Sequence, residues 1–308
     1  MNNRLKEVLN YMPENLKSIL FKTFEQTGDI IQEIRIRNKS PLIINCLSGS
    51  FAVLPDGTIS PAVGGAYIIS PSELNRIFCS ICENSVYAYA EDIKQGFITI
   101  KGGHRVGITG RANTVNGRIE SFKEISSLNI RIAREVIGAA NSVIDNVVQN
   151  GVVYNTLLVA PPMGGKTTVL RDLARQISDM GVKTALVDER GELASIYCGV
   201  PQNNIGLQTD VIENVPKAEG ALLLLRTMSP QLIITDEIST QADANALIQC
   251  FGLGVSVIAS THGSSIDEVK NRLSIKPLLG GNGFNRIILL TKEGRGINTG
   301  IIGRAEAV

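Results

Sequence analysis

The sequence predicts an α/β protein in which a smaller α+β domain precedes a domain built on a mainly parallel sheet. The length of 308 residues suggests two domains, each large enough to bury a core. Apolar residues make up 44% of the chain and charged residues 19%, which excludes a disordered protein. After residue 137, short aliphatic runs alternate with helical patterns. We therefore expect domains at 1–138 and 139–308.

Short helices and strands alternate through the first domain. Apolar residues at helical spacing predict helices at 3–10, 14–26, 71–83 and 86–94. Ser70 or Ser72 would cap the third of these. Strand-like runs occur at 30–38, 41–46, 96–122 and 127–135. Within them Asn116-Gly117 predicts a tight β-hairpin turn, because both residues tolerate positive φ.

Aliphatic runs and helical patterns follow each other regularly in the second domain. After a helix-like stretch at 139–151, aliphatic runs lie at 154–160, 184–189, 232–237, 256–261 and 284–291. Helical patterns lie at 166–180, 217–228, 240–252 and 264–279. Buried strands that alternate with helices are typical of a parallel sheet covered on both faces.

The overall charge and the absence of targeting signals limit the class of protein. There are 30 Lys and Arg against 29 Asp and Glu, a net charge of +1, which argues against a dedicated nucleic-acid binder. The amino terminus lacks the apolar stretch of a signal peptide, and no long uncharged window predicts a spanning helix. We therefore expect a soluble cytoplasmic protein without direct membrane insertion.

Cys79 and Cys82 form a C-x-x-C pair, which raises the question of a metal or redox site. A zinc site would need further ligands, and the chain has two histidines, His104 and His262, and no second cysteine pair. Both cysteines lie on the apolar face of the predicted helix at 71–83. We interpret them as small core residues.

A strand-to-helix loop is the most specific feature of the sequence. The aliphatic run at 157–160 leads directly into a glycine-rich stretch followed by a helical pattern. Glycines let backbone N–H groups curl around phosphates, and the helix N-terminus adds a favourable dipole. The predicted nucleotide-binding residues are Ala160, Pro161, Pro162, Met163, Gly164, Gly165, Lys166, Thr167 and Thr168. The alternative is a structural turn with an exposed lysine.

Two residues of this loop have individual roles in the P-loop pattern. Lys166 would reach the β- and γ-phosphates of a nucleotide, and the Thr167 hydroxyl would ligate Mg²⁺.

Acidic residues follow two further aliphatic runs. Asp236 and Glu237 end the run at 232–237, where Asp236 would hold magnesium and Glu237 would position or deprotonate the attacking water. Asp188 and Glu189 end the run at 184–189 and repeat the pattern, so that their carboxylates could face the γ-phosphate. A polar residue, His262, ends a fourth run and could sense the γ-phosphate. Each position could instead be a solvated turn or, for His262, a structural residue.

The order of these motifs resembles that of the hexameric secretion ATPases of type II and type IV systems. The motifs are APPMGGKTT, VDERGE, MSPQLIITDEI and IASTHG. The sequence is similar above all to one branch, the stage III sporulation AA family of endospore-forming bacteria. That similarity includes CGVPQNNIGLQTDV, PKAEGALLLLRTMSP and much of the amino-terminal half, such as IQEIRIRNKSPL.

The resemblance implies a RecA-like P-loop NTPase domain that hydrolyses ATP with Mg²⁺. It implies a homo-oligomer, a ring hexamer, which energises a membrane-embedded sporulation channel complex between mother cell and forespore. The protein would lie on the cytoplasmic, mother-cell side and would meet the membrane through partner proteins, without nucleic acid.

The resemblance also assigns roles to individual residues. Glu189 would belong to the acidic box, Asp236 and Glu237 to Walker B, and His262 to the histidine box. In the broad family a glycine commonly precedes the Walker B glutamate, whereas this chain has Asp236. That difference favours Glu237 as the base and leaves the role of Glu189 open. Arginines that could reach the γ-phosphate of a neighbouring subunit are Arg105, Arg111, Arg131, Arg134 and Arg226.

Two other functions remain open from the sequence. A RecA-like motor acting on nucleic acid would need a basic groove, to which the segment 102–112 could contribute, although aromatic residues for stacking are few. A non-hydrolysing scaffold would use ATP only for assembly, which the Asp236-Glu237 pair disfavours. No base-reading motif decides between ATP and GTP.

Overall fold

The computed structural model of the protein describes residues 3–279, 281–293 and 296–303. No helix in these three ranges is both long and apolar enough to cross a membrane.

The chain forms two compact units. Unit 1 comprises residues 1–134 and 197–202, and unit 2 comprises residues 135–196 and 203–308. The sequence did not predict that residues 197–202 belong to unit 1 while the chain on either side belongs to unit 2. The division into domains at residue 138 stays a prediction, because compactness does not test whether each part folds alone.

Unit 1 packs helices against an antiparallel sheet. Its described helices are α1 (Asn3–Leu9), α2 (Glu14–Thr27), α3 (Pro71–Ile81) and α4 (Ala90–Gln95), with 3-10 turns at Gly28–Ile30 and Val86–Tyr89. Its strands are β1 (Ile31–Arg37), β2 (Ile43–Cys46), β3 (Gly49–Val53), β4 (Ile59–Ser60), β5 (Phe97–Ile100), β6 (His104–Val115) and β7 (Arg118–Arg131). They are ordered β4-β3-β2-β1-β7-β6-β5.

The predicted hairpin turn at Asn116-Gly117 is confirmed. Both residues have positive φ, 51° and 76°, as a tight turn between β6 and β7 requires. The sequence divided β7 into two strands, which is wrong: one strand runs from Arg118 to Arg131 and absorbs its irregularities as bulges in the pairing with β6. The expected helix at 86–94 is likewise split into a 3-10 turn and α4.

The capping of α3 resolves one choice that the sequence left open. The Ser70 hydroxyl accepts a hydrogen bond from the Glu73 N–H at 3.2 Å, and the Glu73 carboxylate accepts one from the Ser70 N–H at 2.9 Å. Ser70 is therefore the cap in a complete capping box. Cys82, just after α3, is fully buried in the core, whereas Cys79 is half-buried, so the interpretation as core residues is confirmed for Cys82.

The segment 197–202 belongs to unit 1 because of its hydrogen bonds. The side chain of Gln202 accepts from the Gly102 N–H at 2.8 Å, and its carbonyl accepts from the Arg4 guanidinium at 3.2 Å. The Tyr197 hydroxyl donates to Glu83. These partners lie about 100 or more residues away in sequence, a separation that local patterns do not reveal.

Unit 2 is an α/β layer structure. Its described helices are α5 (Ile144–Val147), α6 (Lys166–Asp179), α7 (Lys217–Thr227), α8 (Gln241–Gly252) and α9 (Ile266–Lys270), with a 3-10 turn at Lys276–Leu278. Its strands are β8 (Val148–Gln149), β9 (Val152–Val153), β10 (Thr156–Ala160), β11 (Thr184–Asp188), β14 (Thr209–Glu213), β15 (Leu232–Glu237), β16 (Ser256–His262), β17 (Arg286–Glu293) and β18 (Gly296–Gly303). A small ribbon, β12 (Ile196–Tyr197) with β13 (Val200–Pro201), lies between β11 and β14 in sequence.

The central sheet of unit 2 has the order β14-β11-β15-β16-β10-β17-β18. All neighbours are parallel except β17 and β18, which pair antiparallel. The prediction of a mainly parallel sheet is confirmed. Alternate residues of β10 face opposite layers: Leu158 packs with the core under α6, and Leu157 packs with the core under α7 and α8. Both faces are therefore covered, which explains why these strands read as continuous apolar runs.

Two expected helices of unit 2 are corrected, and one edge strand was not expected. The helix expected at 139–151 is reduced to the short α5, because Asn150 and Gly151 adopt positive φ and turn the chain into the β8–β9 ribbon. The helix expected at 264–279 is interrupted after α9. The edge strand β14 was not predicted, since three of the five residues of its sequence TDVIE are polar and none of the five is buried.

His104 lies within unit 1 as a structural residue. It is fully buried, its Nδ1 accepts from the Ala133 N–H at 3.1 Å, and its Nε2 lies 2.9 Å from the Arg4 carbonyl oxygen. Because a carbonyl can only accept, Nε2 carries the hydrogen, and the imidazole is held as one neutral tautomer. Burial is the main reason that the pKa of His104 falls to about 4.

This buried imidazole predicts an acid-dependent loss of stability in unit 1. The folded pKa lies below the unfolded value near 6.5, so the stabilisation is present above that value and is lost as pH falls towards 4. Between pH 7.5 and pH 5 we expect a loss of about 2 kcal/mol. Hydrogen exchange of the unit 1 sheet amides measures it. The variant His104→Gln cannot titrate and is the control; equal losses in both proteins would contradict the assignment.

Candidate nucleotide site

The predicted phosphate loop joins β10 to α6 at the carboxyl edge of the parallel sheet. Gly165 precedes α6 with φ 85°, and Met163 also has positive φ, 59°. A Cβ at Gly164 would lie 2.7 Å from the Ala160 Cβ and 2.8 Å from the Pro161 carbonyl oxygen. The loop therefore needs glycine at 164, and the Gly164 N–H closes the turn by donating to the Pro161 carbonyl oxygen at 3.0 Å.

Lys166, the first residue of α6, is buried within this loop. Its ammonium donates to the carbonyl oxygens of Ala160 at 3.1 Å and Pro161 at 3.4 Å, and to His262 Nδ1 at 2.9 Å. Burial lowers the pKa of Lys166, and the nearby Glu237 carboxylate partly opposes that effect. Lys166 is therefore not exposed, unlike the lysine of the alternative structural turn.

His262 connects Lys166 to Glu237. An ammonium group can only donate, so His262 Nδ1 is the acceptor and Nε2 carries the hydrogen in the neutral ring. That Nε2 lies 2.8 Å from Glu237 Oε2 and donates to it. His262 and Ala160 are also register partners on the neighbouring strands β16 and β10. The sheet therefore brings together three residues that lie up to 96 positions apart.

A second cation, Lys217, lies among the acidic residues. Its ammonium is 3.2 Å from Asp236 Oδ1 and forms a close ion pair with Glu189. Only 5% of Lys217 is exposed. Burial alone would lower the pKa of Lys217, but hydrogen bonding to Glu189 and the charge of Asp236 raise it above its usual value.

Burial also dominates the electrostatics of Asp236. It raises the pKa of Asp236 to about 6; Lys217 opposes this effect, and Asp188 and Glu189 add to it. Asp236 Oδ1 has no well-aligned hydrogen bond despite its distance to Lys217. A buried carboxylate oxygen in this condition is suited to a further cation.

Asp188 has a different role from the one that its position suggests. Its carboxylate is fully buried and accepts hydrogen bonds, each of 2.8 Å, from the N–H groups of Glu192, Leu193 and Ala194. The sequence suggested that carboxylates here face the γ-phosphate, which is wrong for Asp188. It organises the loop after β11, so that Glu189 beside it meets Lys217.

Gly220 explains how α7 comes close enough for Lys217 to reach the strand ends. A Cβ at Gly220 would lie 2.8 Å from Val187 Cγ1, 3.0 Å from Val215 Cγ1 and 3.2 Å from Ile212 Cγ2. Only glycine allows this approach of α7 to the sheet without displacement. Lys217 lies three residues earlier, on the same side of the helix.

A cavity of about 370 Å³ unites these groups. Its lining residues are Met163, Gly164, Gly165, Lys166, Thr167, Thr168, Arg190, Glu192, Asp236, Glu237, Ser260 and His262. The lining combines a glycine-rich loop with ammonium, hydroxyl and carboxylate groups. Backbone N–H groups at a helix N-terminus suit phosphate, and the hydroxyl and carboxylate oxygens of Thr167 and Asp236 suit Mg²⁺. The residues present therefore fit both groups.

The candidate arginines are divided between the two units. Arg105 and Arg131 are register partners on β6 and β7, and the Arg105 guanidinium lies over the Phe97 ring at 4.8 Å. Arg111 is exposed, and Arg134 donates to the Ile31 carbonyl at 3.1 Å. Arg226, in the last turn of α7, donates to the Leu222 carbonyl and does not line the cavity. Their roles at the phosphates of a neighbouring subunit stay predictions.

Sequence reasoning missed Lys217 and assigned the wrong role to Asp188. A weak signal existed for Lys217: a lysine in the first turn of a helix opposes the helix dipole and needs a separate reason. No comparable signal existed for Asp188, because its partners are backbone N–H groups.

The sequence comparisons identify the family. Residues 2–306 match the family described as Sporulation stage III, protein AA. The chain belongs to this family. It is 38% identical over 293 residues to the Stage III sporulation protein AA of Bacillus subtilis (strain 168), covering 94% of this chain and 91% of that protein. The similarity extends to Protein SEEDLING PLASTID DEVELOPMENT 1 of Arabidopsis thaliana, at 28% identity over 181 residues, 58% of this chain and 26% of that protein.

Solved structures share the fold of this family member. The ATPase DotB of Legionella pneumophila matches with a TM-score of 0.55 and 16% identity, covering 91% of this chain and 77% of that one. The pilus retraction motor PilT with bound ADP matches with a TM-score of 0.59 and 13% identity, covering 91% and 80%. The predicted RecA-like fold of the secretion ATPases is thereby confirmed.

The approach of α7 at Gly220 leads to a stability prediction. Gly220→Ala would place a methyl group against Val187 and Val215, so we expect a loss of about 1–3 kcal/mol in the free energy of unfolding of unit 2. Hydrogen exchange of unit 2 amides in urea measures it. Gly252→Ala, at the end of α8 with no atom within 4 Å of the new Cβ, is the matched control and should change stability by less than about 0.5 kcal/mol. Equal effects would contradict the close approach.

Proposed function

We propose that this chain is a Mg²⁺-dependent ATPase that energises a membrane-embedded sporulation channel complex between mother cell and forespore. The observation that carries the enzymatic part is the single cavity lined by both the glycine-rich loop and the Asp236-Glu237 pair. Family membership supports the sporulation context, and the shared fold with DotB and PilT supports nucleotide-driven mechanical work.

The loop residues would bind the triphosphate. The loop at 163–168 would wrap around the phosphates, and Lys166 would exchange its carbonyl partners on Ala160 and Pro161 for phosphate oxygens. That exchange is favourable because two neutral carbonyls are replaced by anionic oxygens.

The two Walker B carboxylates would have separate roles. Asp236 and Thr167 would hold Mg²⁺, which when bound neutralises phosphate charge. Glu237 would orient the attacking water and accept its proton. His262, which donates to Glu237 and accepts from Lys166, holds the carboxylate beside the phosphate-binding lysine and so links nucleotide binding to the position of the base.

Glu189 is the weaker candidate for the base. Its carboxylate is held in a close ion pair by the Lys217 ammonium, which occupies the oxygen that an attacking water would need. Glu237 instead accepts a hydrogen bond from the His262 imidazole and lines the cavity beside the phosphate loop. This contrast favours Glu237 as the group that accepts the proton, and Glu189 as the carboxylate that holds the Lys217 ammonium in place.

The contrast between the two glutamates can be measured. We expect Glu237→Gln to bind ATP normally and to lower kcat by at least about 100-fold, because the proton acceptor is lost. Glu189→Gln should retain far more activity, and Lys166→Ala should lose ATP binding. Phosphate release and fluorescent-ATP binding give the two readouts. Rapid turnover by Glu237→Gln would move the base to Glu189, and normal turnover by Lys166→Ala would reject the site.

The oligomer and its partners form the second part of the proposal. A homo-oligomer, a hexamer, would let Arg105, Arg111, Arg131, Arg134 or Arg226 of one subunit approach the phosphates of the next. A guanidinium suits the charge that develops on the transferred phosphoryl group. Membrane proteins of the channel complex would receive the motion on the mother-cell side of the membrane.

This part requires an experiment in sporulating cells. The Glu237→Gln chain, held with ATP, should have a mass of six times 33.1 kDa and should recover integral membrane proteins in a pull-down. Lys166→Ala, which cannot hold ATP, is the control and should recover fewer. A monomeric mass with ATP would contradict the ring, and recovery of DNA with DNA-stimulated turnover would favour a nucleic-acid motor.

A further inference from the structure

Lys217 occupies an unfavourable position unless its surroundings compensate for it. It is the first residue of α7, where the helix dipole repels a positive charge, and the preceding Pro216 supplies no side-chain cap. Its side chain is almost fully buried, which is costly for an ammonium group without partners. The carboxylates of Glu189 and Asp236 are the partners that compensate.

Both partners come from the ends of neighbouring parallel strands. Asp188, the last residue of β11, fixes the loop that begins with Glu189, and Asp236 lies on β15 beside it. For Glu189 and Asp236, Lys217 is the ammonium partner that the described contacts show. The third carboxylate, Asp188, instead accepts hydrogen bonds from backbone N–H groups. Lys217 thus supplies the positive charge that both Glu189 and Asp236 contact.

A divalent cation would need the same carboxylate oxygens. Asp236 Oδ1, the atom 3.2 Å from the Lys217 ammonium, is the buried oxygen that lacks a well-aligned hydrogen bond. An ammonium group and a divalent ion within a few ångströms of each other repel. Lys217 therefore disfavours a metal ion that arrives alone, whereas the phosphates of a nucleotide bring negative charge that offsets the repulsion.

We propose that Lys217 is a positioning residue, the built-in counter-cation of Glu189 and Asp236, which keeps Mg²⁺ out of the site until the metal enters with the nucleotide. The role of the nucleotide rests on the proposed ATPase function. The competition between Lys217 and a divalent ion does not, and can be measured without nucleotide.

The test is Mn²⁺ binding to the full chain without nucleotide, followed by electron paramagnetic resonance. Lys217→Met keeps much of the side-chain length but removes the charge, so we expect Mn²⁺ to bind at least about tenfold more tightly than to the wild type. Lys217→Arg, which keeps a positive charge, should resemble the wild type. Lys183→Met, at an exposed position before β11, is the matched control and should leave Mn²⁺ affinity unchanged.

Thermal melting separates this role from a merely structural one. Lys217→Met should melt at lower temperature in EDTA and should recover by several degrees in Mn²⁺, whereas the wild type should not respond. Lys217→Met/Glu189→Gln removes one carboxylate with the cation, and both Mn²⁺ affinity and melting should return towards wild-type behaviour. If Lys217→Met does not fold in EDTA, refolding on addition of Mn²⁺ supports the proposal.

The outcomes that overturn the inference differ from those that overturn the ATPase function. Unchanged Mn²⁺ affinity in Lys217→Met, or a loss of stability that Mn²⁺ does not relieve, would reject the counter-cation. A chain that never hydrolyses ATP would reject the proposed function but would leave the Mn²⁺ result standing.

Discussion

The candidate site depends on how unit 2 accommodates charge at the carboxyl edge of its parallel sheet. Asp236, Glu237 and Glu189 end buried strands or begin the loops after them, where isolated carboxylates would be costly. Two lysines, each the first residue of a helix, supply the opposite charge: Lys166 through His262 to Glu237, and Lys217 to Glu189 and Asp236. The surrounding loops and helices serve to bring these six groups together.

Close backbone approach makes that arrangement possible. Gly164 lets the phosphate loop curl against Ala160, and Gly220 lets α7 lie against β11 so that Lys217 reaches the strand ends. Each glycine therefore sets the position of a lysine that follows or precedes it by two or three residues. In unit 1 a different buried polar group has a comparable structural role, because His104 joins the chain near Arg4 to the end of β7 near Ala133.

The proposed function of this family member combines nucleotide chemistry at one site with assembly into a larger complex. The cavity of unit 2 is lined by the groups to which we assign phosphate binding and proton transfer, and each of these groups belongs to a short motif of the sequence. The proposed coupling to a membrane complex concerns surfaces and subunits instead. In our proposal Lys217 controls when the carboxylates of Glu189 and Asp236 become available to a metal ion, and so affects the nucleotide chemistry of the site.

The sequence by itself determined the parallel sheet, the phosphate loop and the acidic strand ends, because periodicity, glycines and capping act within a few residues. It also predicted the Asn116-Gly117 turn, although it missed the equivalent signal at Asn150-Gly151 within an apolar, helix-like stretch. Tertiary structure decided the rest: Asp188 as a loop organiser, residues 197–202 as part of unit 1, and Lys217 as partner of two acids. Those roles arise only when packing removes water and brings distant groups within hydrogen-bonding range, and no local pattern encodes that proximity.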